Sequence, residues 1–103
     1  MSDLARAMTR LAPDAVWAVR GDVLFWDDDA PQPSQADIDA AVLEVAWSDV
    51  RVERDRLLAG SDWTQVSDAP VDAAAWAVYR QQLRDVPQDF GSPDEVVWPI
   101  PPV

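Results

Sequence analysis

Trp76, Tyr79, Leu83 and Val86 stand three and four residues apart between Asp72 and Pro87. Residues at that spacing share one face of an α-helix, so turn after turn delivers a large apolar side chain to the same stripe. Arg80 and Arg84 fall along its edge. Asp72 is the expected N-cap, because a carboxylate there accepts from backbone N–H groups that lack a partner within the helix and complements the helix dipole. Pro87 is the expected end, since the residue before a proline is pushed out of helical backbone angles. Trp63 and Trp98 carry too much apolar surface to leave in water, and both are expected to pack on the stripe.

A second helical pattern precedes it. Ser34 is the expected cap, with Asp37 at the capping-box position, and the pattern runs to Ala59 with Gly60 as its C-terminal stop. Its apolar residues fall on two sides. Ile38, Val42, Val45 and Val52 make one stripe; Leu43, Trp47, Val50 and Leu57 make the other. A helix apolar on two faces is sandwiched between layers or shared with a neighbour. One stripe is expected to meet the second helix, and the other to meet the hairpin, a partner protein or a second copy. Arg51, Glu53, Arg54, Asp55 and Arg56 alternate in sign as a solvated face does. Arg54 and Arg80, beside tryptophan-bearing turns, are expected to pair in bidentate fashion with Asp62 or Asp68, or to anchor a partner.

Ahead of these helices, Ser2 to Leu11 is predicted as a short helix capped by Ser2 or Asp3, either packed or a terminal arm. Val16–Arg20 and Val23–Asp27 flank Gly21-Asp22, the pattern of a two-residue hairpin. That register pairs Arg20 with Val23, Val19 with Leu24 and Trp17 with Trp26. The hairpin either covers its own core or offers an edge to a partner strand. Asp27-Asp28-Asp29 lacks the spacing and glycine of a calcium loop and is expected to be solvated. Ala30-Pro31-Gln32-Pro33 is a stiff linker, separating a module at 1–33 from a helical-hairpin domain at 34–103. Beyond Gln88, Pro93, Pro99, Pro101 and Pro102 exclude helix and make Val96–Trp98 extended. The tail is expected to fold back on the paired antiparallel helices through Trp98 or to enter a groove on another protein. The fold class is α+β, mainly α.

Chemistry is narrowed by what is missing. The 103 residues include no cysteine, histidine or lysine, and all 8 basic residues are arginine. Without His or Cys there is no His-activated serine, no Cys nucleophile and no ordinary zinc site; without Lys there is no Schiff base. Carboxylates could in principle cleave glycosides, but none here sits in a catalytic context, so the chain is expected not to be an enzyme and to need no cofactor or metal. The 19 acidic residues leave a net charge of −11. Phosphate backbones and anionic membranes repel such a chain, so neither nucleic acid nor membrane is an expected partner. No signal-peptide pattern opens it. Six tryptophans are expected to supply the packing that disulfides give other small domains.

The ordered set Arg54, Leu57, Leu58, Asp62, Trp63, Thr64, then Trp76, Tyr79, Arg80, Leu83, Arg84, Asp85, Pro87, then Trp98 and Pro99 resembles the bacteriophage tail assembly chaperone family, over residues 51–102. The resemblance implies a partner-binding protein that assists a viral tail or tail-fibre protein. Arg54, Leu57, Leu58, Asp62, Trp63, Trp76, Tyr79, Arg80, Leu83, Trp98 and Pro99 would form its motif core or contact surface. A subunit that stays in the tail tip or fibre is the alternative. Either role implies the host cytoplasm during assembly, or the virion tail.

Overall fold

The computed structural model describes residues 2–102, so the last residue of the expected tail, Val103, lies outside them. The fold is mainly helical with one small sheet. Its Cα trace forms two compact units, one ending at Ala46 and one beginning at Trp47.

In the first unit, α1 (Asp3–Leu11) starts where Ser2 Oγ accepts from Ala5 N. It ends where Ala12 N donates to Met8 O. Ala7 and Met8 are fully buried, so α1 is a packing helix. β1 (Trp17–Arg20) and β2 (Val23–Trp26) pair antiparallel in the expected register, from Arg20 with Val23 to Trp17 with Trp26. Gly21 has φ +61°, and among the described residues no other residue has positive φ. Gly therefore takes the first central position of the turn, which an L side chain rarely adopts. Trp17, Val19, Leu24 and Trp26 are the more enclosed face. On the exposed face the Arg20 guanidinium lies over the Phe25 ring, 5.6 Å from its centroid.

Asp28 is more than a solvated loop residue. Its carboxylate accepts from Val16 N through one oxygen and from Ala30 N through the other, both at 2.9 Å, and Asp27 N donates to Val16 O. The open end of the hairpin is thereby clasped. Those backbone donors, Ala30 first and Val16 second, hold the Asp28 carboxyl below the usual carboxylate range. The two indoles finish the job: Trp17 Nε1 donates to Ala12 O and Trp26 Nε1 to Ala30 O.

Helix α2 (Gln35–Ser61) begins at Ser34, whose Oγ accepts from Asp37 N. In its first half Ala41 and Val45 are buried with Ala7, Val42 packs against them, and Ile38 is buried as well. In its second half Leu57 and Leu58 are half-buried and Ser61 is buried. At about 100° per residue these two sets lie on different sides of the helix. The two expected stripes are corrected accordingly. Val52 belongs to the side packed in the first half and is 65% exposed, and Leu43, on the other side but in the first half, is exposed too.

Gly60 does not stop the helix, which runs on through Ser61 into a 3₁₀ turn, Asp62–Gln65. Helix α3 (Ala73–Asp89) starts at the expected cap, Asp72 Oδ1 accepting from Ala75 N. Pro87 is inside α3 rather than at its end. A proline this close to a C-terminus has a φ suited to helix and removes a single N–H, the one Leu83 O would accept from, so two more residues follow. Past Phe90 the tail is not extended throughout, because Pro93–Glu95 make a 3₁₀ turn before Val96 opens out.

Candidate functional site

The end of α2 is finished by an arginine from α3. Arg80 Nη1 donates to Leu58 O and to Ser61 Oγ, and Nη2 donates to Asp62 Oδ1, each at 2.7 Å. The last carbonyls of a helix have no partner within it and carry the negative end of its dipole, so a cation there does the work a terminal glycine would otherwise do. Ser61 Oγ in turn donates to Leu57 O and Leu58 O, and Thr64 Oγ1 donates to Ser61 O. Gln65 Nε2 donates to Thr64 Oγ1 and to Ala73 O, at the first turn of α3. Helix end, turn and next helix thus share one hydrogen-bonded clasp. The Arg80 side chain is 15% exposed, and no buried polar side-chain atom among the described residues lacks a partner.

Apolar rings lie on the same two elements. Trp63 and Trp76 are tilted at 51° with centroids 6.3 Å apart, and Trp76 meets Tyr79 edge-on at 5.5 Å. Such pairs add about 0.5–1.5 kcal/mol beyond area burial. Tyr79, Leu83 and Val86 are buried, Trp76 is half-buried, and Trp63 keeps 51% of its surface in solvent. Trp63 therefore packs on the stripe with one side only.

A third feature is an open cleft of about 520 Å³. Gln82, Val86 and Asp89 of α3 line it, with Phe90 and, from the tail, Val97 to Ile100. Trp98 and Pro99 are half-buried there, so Trp98 folds back towards α3. Val97 and Ile100 remain 71% and 88% exposed.

Of the expected site residues, the structure gathers Leu58, Asp62 and Arg80 in the clasp. It places Leu57 half-buried on the preceding turn, Trp63, Trp76 and Tyr79 in the ring series, and Trp98 and Pro99 in the cleft; Leu83 is core. Arg54 is not part of the clasp. It pairs with its neighbour Asp55 at 3.0 Å, and Asp62 pairs with Arg80. Nor is the Arg80–Asp62 contact bidentate, since the second guanidinium nitrogen is spent on Leu58 O and Ser61. The fork that was expected at Arg54 or Arg80 occurs at Arg56, which reaches Glu53 through Nε at 2.9 Å and Nη2 at 2.6 Å. Sequence reasoning missed Ser61 and Gln65, and it named Thr64 in the motif without giving it a role in the site. Hydroxyls around Asp62-Trp63 at a helix end were the available signal, since such side chains bond back to nearby carbonyls. It also missed Gln82, Asp89, Phe90, Val97 and Ile100, for which a single sequence holds no comparable mark.

Among the described residues no three His, Cys, Asp or Glu side chains are gathered so as to hold a metal ion, and no helix is long and apolar enough to cross a membrane. Beside the arginine clasp and the cleft, Trp63, Val97 and Ile100 keep aromatic and aliphatic surface exposed. The family model of the phage tail assembly chaperone protein matches residues 47–103, which contain the clasp, the rings and the cleft, and the chain belongs to that family. No curated protein and no solved structure matches it.

Proposed function

We propose that this tail assembly chaperone binds a viral tail or tail-fibre protein through residues 47–103 and assists its folding and assembly by contact alone, in the host cytoplasm, without catalysis. The family match over those residues carries the reading. The surface there supports it: Trp63, Val97 and Ile100 leave large apolar side chains in solvent, and tryptophan is among the residue types that anchor interfaces. Covering apolar surface on an unassembled client keeps it from aggregating, while a net charge of −11 keeps the complex dispersed.

Co-expression of the tail and tail-fibre proteins of the same phage with this chain tests the proposal. One of them should become more soluble and co-purify with the chaperone, and purified virions should not contain the chaperone in stoichiometric amount. Unchanged solubility of every tail protein would contradict the assisting role.

A further inference from the structure

We propose that the cleft between the end of α3 and the tail receives an extended client segment carrying one large apolar side chain flanked by arginine or lysine. The proposal rests on the reading that the protein binds a viral tail protein, and it names the chemistry of the segment bound.

Most of the cleft wall is apolar: Val86, Phe90, Val97, Trp98, Pro99 and Ile100. A helix about 10–12 Å across with its side chains is a poor fit to about 520 Å³, whereas one bulky side chain and the backbone beside it are a good one. The walls are stiff, because Pro93 opens a 3₁₀ turn and Pro99, Pro101 and Pro102 restrict the tail. Stiff walls lose little freedom on binding.

Charge selects the flanking residues. Asp89 lines the cleft and is the last residue of α3, whose final turn holds no basic residue. An acid at that end opposes the helix dipole, where a cation would stabilise. From 85 to 102 the chain has Asp85, Asp89, Asp94 and Glu95 and no arginine or lysine. Arg84, just before them, donates to Gln81 Oε1. Of these carboxylates Asp89 is the one that lines the cleft; with the negative end of the α3 dipole beside it, it is complementary to a basic-flanked anchor. A second copy of this chain is a poor occupant, since it brings the same acidic wall and a charge of −11.

The test uses the full chain and three fluorescein-labelled peptides, read by anisotropy at low and physiological salt. The parent peptide is Gly-Ser-Arg-Trp-Arg-Ser-Gly; in the others, glutamates replace the arginines or serine replaces the tryptophan. The parent should bind at least about tenfold more tightly than either, with the advantage over the glutamate peptide shrinking as salt rises. Asp89→Lys should reverse the charge preference, and Ile100→Ser should weaken the parent peptide. Both positions are exposed, and melting curves matching the parent protein would show that the variants fold. Equal binding of all three peptides by the unmodified chain overturns the proposal. So does an unaltered preference in folded Asp89→Lys, or sedimentation as a dimer that the parent peptide does not dissociate.

Co-expression separates this failure from that of the assembly role. If client solubility rises equally with the parent, Asp89→Lys and Ile100→Ser, the cleft proposal falls and the assembly role stands. If the parent raises no client's solubility, the assembly role itself falls.

Discussion

The two compact units hold themselves together in different ways. In the first, polar closure is local: Asp28 ties Val16 and Ala30, within the hairpin and its adjoining loop, beside a small aliphatic cluster of Ala7, Ala41 and Val45. In the second, one guanidinium reaches from Arg80 across 18 to 22 positions to Asp62, Ser61 and Leu58, beside a series of rings. A local clasp can fail without loosening much else. A long-range one carries the relative placement of two elements, so the second unit should respond to single substitutions as a whole and the first piecemeal.

The largest expected effect sharpens that contrast. Leu83→Ala removes a fully buried side chain and should cost about 2–5 kcal/mol, a large share of the stability of an ordinary domain. Urea unfolding, with amide exchange resolved by residue, should show loss of protection throughout α3 and the Asp62–Gln65 turn. Arg80→Ala follows at about 2–4 kcal/mol, because it strips charged hydrogen bonds from a largely buried helix end. Arg80→Lys should recover only part of this, since an ammonium lacks the planar fork. If Arg80→Ala loosened only Asp62 and its neighbours, the long-range clasp would be no different in kind from the local one.

Smaller effects come next. Trp63→Ala should cost about 1 kcal/mol, the worth of one tilted aromatic pair at a half-exposed site, as read from the shift in the urea midpoint. Asp28 should give the smallest and most local change. Its carboxyl is held below the ordinary carboxylate value in the folded chain, so its contribution is complete above that ordinary value and is lost as pH falls through the lowered one. Asp28→Asn should abolish this acid dependence and speed exchange of the Val16 and Ala30 amides at neutral pH, leaving α3 unaffected. Acid-induced loosening that began in α3 would reverse the comparison.

What could be seen in the sequence divides along the same line. Ser2, Ser34 and Asp72 as caps, the Gly21 turn with its register, and the Tyr79–Leu83–Val86 stripe all depend on residues a few positions apart, and all are present. Gly60 looked like a stop because glycine commonly ends helices, but Arg80, from 19 residues beyond Ser61, supplies what the glycine would have. Arg54 looked equivalent to Arg80, and only the fold decides which arginine reaches Asp62. Pro87 looked like a stop because the residue before a proline is disfavoured in helical angles, but so near the helix end it costs little and α3 runs on to Asp89. The cleft was invisible because its wall combines the end of α3 with residues up to 18 positions later in the tail.

The central claim is that residues 47–103 make the contact with the client. Hydrogen–deuterium exchange of the full chain, alone and saturated with the tail protein that co-purifies with it, measures this directly. The account predicts slowed exchange within 47–103, strongest around 82–100, and little change from 2 to 46. Protection confined to α1 and the hairpin, with 47–103 exchanging as in the free protein, would contradict it.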